Sequence, residues 1–322
     1  MLFSNRLTSA GAIFGLQCAF NDTSAFVKSF LKEHLPVRLL KLLATFPLGA
    51  SRHLGRLLGH MLWYCNGRSR KTTETNIRAC FPKLPAKQQQ LLAHNSLVES
   101  MVTLSEMPSS WLWPPEKTLG LVHRVEGAEL LKKALTSGRS VIVAAPHLGN
   151  WEVLGLYLAT LGPVTSLYQP PKSEALDQLI FNARKRNGAK LVPTDRKGVS
   201  RLLKALKDGE IAGILPDQEP EPHSGEFAPF FGIQALTMTL LTNLAQKTGA
   251  LVVTGWAKRI YEPHGYEIIF CEAEEGVYSE DPLTQVQALN RSVEACVTKS
   301  AEQYQWEYKR FKKQPDNKPG IY

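Results

Sequence analysis

The chain has 322 residues, of which 43% are hydrophobic and 21% charged, and its formal net charge is +9. This composition excludes a disordered chain, a collagen and a coiled coil. The length allows one large α/β domain or two small ones, and the lack of a charge-free run of about 18 apolar residues argues against an ordinary multi-span membrane protein.

The positive charge is concentrated towards the N-terminus. Residues 1–80 carry 11 basic and 3 acidic side chains, whereas residues 81–300 carry 22 and 23. Such an excess suits an anionic membrane, an acidic protein or nucleic acid, and charge alone does not separate these partners. The body has no basic stripe with interleaved aromatic residues, which argues against nucleic acid.

The cysteines and histidines give no sign of a cofactor. Five widely spaced cysteines without a C-x-x-C pair argue against disulfides or zinc, and the eight histidines lack a spacing such as H-E-x-x-H. We therefore expect a reducing compartment, no metal and no cofactor. Residues 1–25 hold a weak apolar run after one basic residue, which predicts a poorly ordered leader rather than a cleaved signal peptide.

Residues 26–65 are predicted to form amphipathic helices. Leucine, valine and phenylalanine recur at helical spacing between basic residues, and Pro36 and Pro47 are expected to break the segment. Such helices are typical of a membrane interface. The alternatives are a helical hairpin packed on the body and a tilted hydrophobic anchor.

A change of pattern near residue 120 predicts an α/β domain over residues 120–313, after a helical connecting segment at 66–119 and before a tail at 314–322. Strands are predicted at Ser140–Ala145, Val164–Tyr168, Lys190–Val192, Ile211–Leu215, Leu251–Trp256 and Glu267–Cys271. Helices are predicted at Trp151–Leu161, Ser173–Arg186, Gly198–Lys207, Ala235–Lys247 and Leu283–Tyr304. This alternation predicts the α/β fold class, with a single mixed, partly parallel sheet flanked by helices.

The most specific chemical signal is the segment 146–152 (PHLGNWE), which follows the first predicted strand and precedes a helix. Sites in open α/β sheets form beyond the carboxyl ends of strands, so His147 is predicted on a functional turn. Asn150 is a suitable N-cap, and Glu152 falls in the first helical turn. Across the turn, His147 and Glu152 can meet as a base and its orienting carboxylate. The alternative is a loop histidine that caps the helix, with Glu152 solvated.

The His-x4-acid spacing resembles the signature of membrane glycerolipid acyltransferases, and the string HLGNWE is similar to the late (lauroyl and myristoyl) acyltransferases of bacterial lipid A biosynthesis. Further segments resemble that family in the same order, from about residue 35 to 313. They are Asn76 with 80–82 (CFP), 184–188 (RKRNG), 215–219 (LPDQE), 227–232 (FAPFFG) and 306–312 (WEYKRFK). The chain departs from the family at Leu148, where phenylalanine is common, and at Glu219, where aspartate is common.

The resemblance implies a glycerolipid-acyltransferase-like fold on the cytoplasmic face of the inner membrane, either monotopic or with a single N-terminal anchor. It also implies transfer of an acyl chain from an acyl-carrier-protein thioester to a hydroxyl of a lipid A precursor. His147 is then expected to deprotonate the hydroxyl, and Glu152 to hold the imidazole in the required tautomer. The chain lacks a G-x-S-x-G elbow, which favours direct attack without an acyl-enzyme.

Other residues are candidates for the oxyanion, the acceptor or the acyl chain. Arg186, or the backbone N–H groups of Gly149 and Asn150, are expected to donate to the tetrahedral oxyanion. Asp217 is expected to orient Arg186 or to bind the polar head of the acceptor. The acyl-groove or acceptor candidates are Trp151, Phe230, Phe231, Arg184 and Arg310. The alternatives are a strand-end cap for Asp217, a solvated charge for the arginines and a core position for the two phenylalanines.

Two further functions stay open. The first is an acyltransferase of the same superfamily that acts on another phospholipid, glycolipid or amino-lipid, with acyl-CoA as an alternative donor. The second is an inactive relative that binds membranes, and the intact pair of His147 and Glu152 argues against it.

Overall fold

The computed structural model describes residues 34–186 and 188–322. The leader predicted for residues 1–25 and the beginning of the segment 26–65 therefore lie outside the described residues. The described part of the chain forms a seven-stranded mixed sheet with helices packed on it, and a separate two-stranded hairpin.

The helices and strands alternate through most of the chain. The helices are α1 (helical over residues 34–43), α2 (Leu48–Tyr64), α3 (Arg68–Cys80), α4 (Ala86–Leu112), α5 (Pro115–Leu119), α6 (Ala128–Thr136), α7 (Trp151–Leu158), α8 (Glu174–Lys185), α9 (Arg196–Lys207), α10 (Leu240–Thr248) and α11 (Pro282–Lys299). The strands are β1 (Val122–Glu126), β2 (Val141–Ala144), β3 (Val164–Tyr168), β4 (Lys190–Pro193), β5 (Ile211–Ile214), β6 (Gly225–Phe230), β7 (Ile233–Met238), β8 (Leu251–Tyr261) and β9 (His264–Glu272).

The strand order of the sheet is β1-β9-β8-β2-β5-β3-β4. The five strands from β8 to β4 run parallel to one another, β9 pairs antiparallel with β8, and β1 pairs parallel with β9. The predicted mixed, partly parallel sheet flanked by helices is thus confirmed. Because β2 and β5 are neighbours at the centre, their carboxyl ends open onto one place.

Strand β2 shows why the sheet is covered on both faces. Its four residues are all fully buried. Val141 and Val143 belong to one core cluster, whereas Ile142 and Ala144 belong to another. Successive side chains of a strand point to opposite faces, so a continuous apolar run requires a core on each side.

Several predicted elements need correction. Pro36, which is predicted to break the N-terminal segment, lies inside the helical residues 34–43. The predicted break at Pro47 is confirmed, because this residue stands between α1 and α2. The predicted helix Ala235–Lys247 is wrong in its first part, because Ala235 belongs to β7 and the helix begins at Leu240. Sequence analysis also missed β1 and the hairpin of β6 with β7.

Helix α2 packs closely along α4. A Cβ atom added to Gly55 would lie 2.7 Å from the Cα atom of Val102, and one added to Gly59 would lie 2.6 Å from the Cα atom of Val98. Glycine at these two positions therefore lets the two helix backbones approach each other. No helix within residues 34–186 and 188–322 is long and apolar enough to cross a membrane.

The outer side of the N-terminal helices is apolar and exposed. Large hydrophobic side chains on α1, on α2 and in the segment that joins them are between 37% and 79% exposed, and they are Leu35, Leu39, Leu42, Phe46, Leu54, Leu57, Leu58, Met61 and Tyr64. We call this set the apolar face of α1 and α2. Arg38, Lys41 and Arg56 lie on the same two helices. The two helices thus combine exposed apolar side chains with basic ones.

Candidate active site

The carboxyl ends of β2 and β5 bring a histidine and an aspartate together. Ala144 of β2 pairs with Ile214 of β5, and His147 and Asp217 each lie three residues beyond that pair. The backbone N–H of His147 donates to Asp217 Oδ2 at 2.9 Å, and the imidazole Nδ1 lies 2.9 Å from Asp217 Oδ1. One carboxylate therefore fixes both the turn and the ring that the turn carries.

Asp217 determines which imidazole nitrogen carries the proton. The aspartate is buried, and an ionised carboxylate only accepts hydrogen bonds, so Nδ1 is the donor and Nε2 keeps its lone pair. Burial alone would raise the pKa of Asp217, but attraction to the His147 imidazole and hydrogen bonds from its ring and backbone hold that pKa below its ordinary value. Asp217 is thus held in its ionised form beside the imidazole ring.

The second nitrogen of His147 lies beside polar side chains. The amide nitrogen of Gln218 is 3.3 Å from Nε2 and also donates to Gln305 Oε1 at 3.2 Å. The Trp151 ring packs edge-on against the imidazole, with a centroid distance of 5.1 Å. A small pocket opens here, and its lining residues are Ser100, Thr103, His147, Trp151, Gln303, Gln305 and Glu307. His147 thus contributes to the wall of this pocket.

Glu152, which the sequence predicts to orient His147, has a different partner. Its carboxylate accepts two hydrogen bonds from the guanidinium of Arg184, at 2.5 and 3.1 Å. Glu152 lies in the first turn of α7, and Arg184 lies in the last turn of α8. The predicted pairing of His147 with Glu152 is corrected to one with Asp217, because the neighbouring strands β2 and β5 already place Asp217 on the imidazole.

The backbone N–H groups predicted to donate to an oxyanion are already engaged. Gly149 donates to Gln303 O at 3.0 Å, and Asn150 donates to Ala257 O at 2.9 Å. Gly149 has a φ of 61°, and a Cβ atom there would lie 2.1 Å from Ala257 O. Only glycine allows this turn to approach β8 so closely. The structure therefore assigns Gly149 and Asn150 to holding the turn rather than to the oxyanion.

Asn150 also anchors α7 to a buried ionic network. Its side-chain oxygen accepts the N–H of Val153 at 3.2 Å, which confirms the predicted N-cap, and its amide nitrogen lies 3.3 Å from Glu106 Oε2. Glu106 pairs with Arg52 at 2.6 Å and with Arg259 at 2.8 Å, and all three side chains are buried. Burial alone would raise the pKa of Glu106, but the two guanidinium groups hold it below its ordinary value. The network thus joins α2, α4 and β8 to the start of α7.

Among the described residues, Arg186 forms no hydrogen bond with Asp217. It is exposed just after α8, and its guanidinium donates to Trp113 O at 2.5 Å. Asp217 is instead engaged by His147. The expectation that Asp217 orients Arg186 is therefore corrected.

Arg310, Phe230 and Phe231 belong to a packed aromatic region rather than to an open groove. Arg310 is 3% exposed, and its guanidinium donates to Leu236 O at 2.6 Å and to Thr237 Oγ1 at 2.8 Å. Phe230 is 1% exposed and packs edge-on against Phe231, with a centroid distance of 5.0 Å. These contacts favour the alternative of core positions for the three residues.

An apolar cavity of about 100 Å³ lies between the sheet, α7 and α8. Trp151 lines both this cavity and the small pocket around His147, and the Glu152–Arg184 pair forms part of its wall. Most of the remaining wall is apolar and includes Leu154, Leu158, Val164, Leu167, Leu191 and Leu215. Trp151 and Arg184 are the predicted groove residues that the cavity includes.

Sequence analysis missed the partner of His147 and the contact of Gln218. A signal for both was present, because His147 follows one predicted strand closely and Asp217 and Gln218 follow another. Parallel strands that are neighbours end at the same edge of a sheet. The strand order, which the sequence did not provide, was needed to choose this pair. Glu106 was missed because nothing local distinguishes it from a solvated helical carboxylate.

Comparison with known proteins identifies the family. The family model described as bacterial lipid A biosynthesis acyltransferase matches residues 18–313. Relatives include the lipid A biosynthesis lauroyltransferase of Escherichia coli K12, 27% identical over 89% of this chain and 94% of that protein. They also include the lipid A biosynthesis palmitoleoyltransferase of the same organism, 26% identical over 84% and 87%, and a lipid A biosynthesis acyltransferase of Haemophilus influenzae, 27% identical over 87% and 89%.

Proposed function

The chain belongs to the bacterial lipid A biosynthesis acyltransferase family and is an acyltransferase, and from that premise we propose that it moves a fatty acyl chain from an acyl-carrier-protein thioester to a hydroxyl of a lipid A precursor. The names of the relatives support the acceptor. The donor and the mechanism are inferred from the chemistry that the residues around His147 can perform.

The observation that carries the mechanism is the hydrogen bond between Asp217 and His147 Nδ1, which leaves Nε2 as the base. Nε2 takes the proton of the acceptor hydroxyl while the oxygen attacks the thioester carbonyl. Asp217 stabilises the imidazolium that forms. The tetrahedral intermediate then collapses, the C–S bond breaks, and the departing sulfur takes the proton from Nε2. The acyl group thus passes directly to the acceptor, and the proton passes from the hydroxyl to the thiol, so no acyl-enzyme is needed.

Gln218 is our candidate donor to the oxyanion of that intermediate. Its amide nitrogen lies 3.3 Å from Nε2, so an atom that reacts beside the base lies within reach of the amide. The hydrogen bond to Gln305 holds the amide in place. The other N–H group, which faces Nε2, becomes available to the oxyanion once the acceptor hydroxyl takes its place beside Nε2. Loss of one oxyanion donor typically lowers kcat by about 10²–10³, and we expect Gln218→Leu to lie in this range.

The apolar cavity beside Trp151 is our candidate site for the acyl chain. It adjoins the small pocket through Trp151, so a chain in the cavity places its carboxyl end near His147. Apolar walls favour a hydrocarbon ligand because they remove its surface from water. We expect a larger side chain at Gly155, which lines the cavity, to shift the preferred donor towards shorter chains.

The apolar face of α1 and α2 supports attachment to an anionic bilayer at the cytoplasmic face of the inner membrane. Interfacial binding combines the burial of apolar side chains with attraction to anionic lipids. The exposed leucines of this face suit the first, and Arg38, Lys41 and Arg56 on the same helices suit the second. Leu57 and Met61 are 58% and 56% exposed, so charged residues there disturb the surface rather than the core. We expect Leu57→Glu with Met61→Glu to reduce co-sedimentation with phosphatidylglycerol vesicles while leaving the thermal unfolding temperature unchanged.

The test is a transfer assay with purified protein, carrier-protein thioesters from decanoyl to palmitoyl, and a tetra-acylated lipid A precursor. We expect the precursor to gain the mass of one acyl chain, and we expect His147→Ala to abolish the gain while the protein stays folded by circular dichroism. Wild-type turnover in His147→Ala would contradict the mechanism. Transfer from acyl-CoA alone, or to another lipid alone, would contradict the proposed donor or acceptor.

A further inference from the structure

A strongly basic surface covers the sheet edge that ends in β4. Residues 184–208 contain nine basic and two acidic side chains, although the body from 81 to 300 is balanced overall. Its exposed basic side chains include Lys185, Lys190, Arg196, Lys197, Arg201 and Lys204. We call this set the α8–α9 basic face. The net charge of residues 81–300 is close to zero and therefore does not reveal this local excess of basic residues.

Helix α9 is built so that this charge points outward. Its apolar residues Leu202, Ala205 and Leu206 are buried, whereas Arg201 and Lys204 are exposed. A cleft of about 440 Å³ lies between α8, β4 and α9, and four members of the basic face contribute to its wall: Lys185, Lys190, Arg201 and Lys204. Two acidic residues, Asp208 and Glu210, also line the cleft, and Glu210 pairs with Lys190. The basic residues outnumber them, so the surface is concave and carries a net positive charge.

The basic cleft lies directly beside the apolar cavity. Ala189 and Leu191 line both of them. A molecule held on the α8–α9 basic face is thus separated from the proposed acyl-chain site by a single layer of small and apolar side chains. This position suits a partner that carries both negative charge and an acyl chain.

We propose that the α8–α9 basic face is the docking surface for the acidic carrier protein that delivers the acyl thioester. The inference rests on the proposed function, since it takes a carrier protein as the donor. Complementary charge steers such an encounter and fixes its orientation. It also makes the encounter sensitive to ionic strength, because exposed charges are screened by salt.

The composition of the face favours a protein over a bilayer. Interfacial membrane helices combine basic residues with large exposed apolar ones. In the described part of α9 no large hydrophobic side chain is exposed, and α8 contributes only Phe181, at 37%. The apolar face of α1 and α2 has the membrane character instead. An acidic, hydrophilic protein surface is the occupant that matches α9.

The test compares two donors that share an acyl chain and a thioester but differ in the protein. The donors are the acyl-carrier protein and the corresponding acyl-pantetheine, and the variant is Arg201→Glu with Lys204→Glu. We expect this variant to raise KM for the acyl-carrier protein by about tenfold or more at low salt, because rim charges act mainly on association. Its kcat/KM with acyl-pantetheine stays within about twofold of wild type, since that donor lacks the acidic protein.

The matched control is Lys132→Glu with Lys133→Glu, which makes the same charge change at exposed positions of α6. We expect the control variant to have the wild-type KM and kcat/KM with both donors. Three results would overturn the docking surface. The first is an unchanged KM for the acyl-carrier protein in the α9 variant. The others are an equal loss of kcat/KM with both donors in that variant, and an equal loss of kcat/KM in the control variant. A loss of vesicle binding with an unchanged KM would assign the face to the membrane and overturn it as well. If wild type accepts no acyl-carrier protein at all, the proposed donor itself fails, which is a distinct result.

Discussion

The loop after β5 and the first turn of α7 each bring a carboxylate to the site, and they use it differently. Asp217 in the loop is hydrogen-bonded to His147, whereas Glu152 in the helix is paired with Arg184. Asp217 is 70 residues from the histidine in sequence, and Glu152 is only five away. Strand pairing, rather than closeness in sequence, therefore selects the partner of the imidazole.

The two carboxylates also differ in what they leave available. Asp217 accepts from the backbone and ring of the same histidine and so fixes the base itself. Glu152 fixes Arg184 at the wall of the apolar cavity. In the proposed mechanism, the first contact acts on proton transfer, whereas the second contributes to the shape and charge of the apolar cavity. The variants below separate these two effects.

Asp217→Asn is expected to have the largest effect on activity. The amide can donate to Nδ1, which favours the wrong tautomer and leaves the developing imidazolium without its counter-charge. In a histidine-based hydrolase the equivalent change lowers kcat by about 10⁴, and we expect about 10³–10⁴ here. Steady-state kinetics with folded protein give the value. A kcat within about tenfold of wild type would remove Asp217 from the proposed mechanism.

Glu106→Gln is expected to have the largest effect on stability. The change leaves Arg52 without its carboxylate partner and weakens the pairing of Arg259 inside the buried network. Removing one member of a buried ion pair typically costs about 3–5 kcal/mol. Denaturant unfolding measures this cost, with the exposed Glu226→Gln as the control. A free energy of unfolding equal to that of the control would mean that the network does not anchor the start of α7.

Much of the central sheet is predictable because its strands are short apolar runs between turn residues. The predicted span Val164–Tyr168 coincides with β3, and β2 and β5 lie within their predicted spans. The hairpin of β6 and β7 was not predicted, because its tight turn depends on positive φ angles at Phe231 and Gly232. The apolar residues after Ala235 fit both a strand and a helix, and only pairing with β6 decides between them.

The site was predictable only in part, for a related reason. His147 and the N-cap Asn150 are local features, so one segment of sequence identifies them. The pairing of Asp217 with the imidazole requires β5 to lie beside β2, and the engagement of Gly149 requires β8 to approach the turn. Both facts concern elements far apart in the chain. The sequence around His147 therefore predicts Glu152 as its partner, because Glu152 is the nearest carboxylate in the chain.

Glu152→Gln is expected to have a smaller effect on activity than Asp217→Asn, with a loss of about tenfold in kcat/KM, because the base keeps its partner. Arg184→Gln is expected to lower the rate by a similar amount. In the double variant the losses should not add, since both changes break one ion pair. A double-mutant cycle measures this coupling. If Glu152→Gln lowers kcat as much as Asp217→Asn does, Glu152 acts directly on the imidazole and the comparison between the two carboxylates fails.

The pH dependence of stability tests the comparison without any substrate. The pKa of Asp217 is lower in the folded protein than its ordinary value, so its ionisation stabilises the fold at a pH above the unfolded value, which is about 3.9. That contribution is lost as the pH falls through the lowered folded pKa. The free energy of unfolding of wild type minus that of Asp217→Asn should therefore shrink with falling pH in this window. Denaturant titrations at several pH values measure it, and His147→Ala, which removes the group that lowers this pKa, should weaken the same trend. A difference that stays constant with pH would mean that Asp217 is not held ionised by His147, and the imidazole would then need another partner.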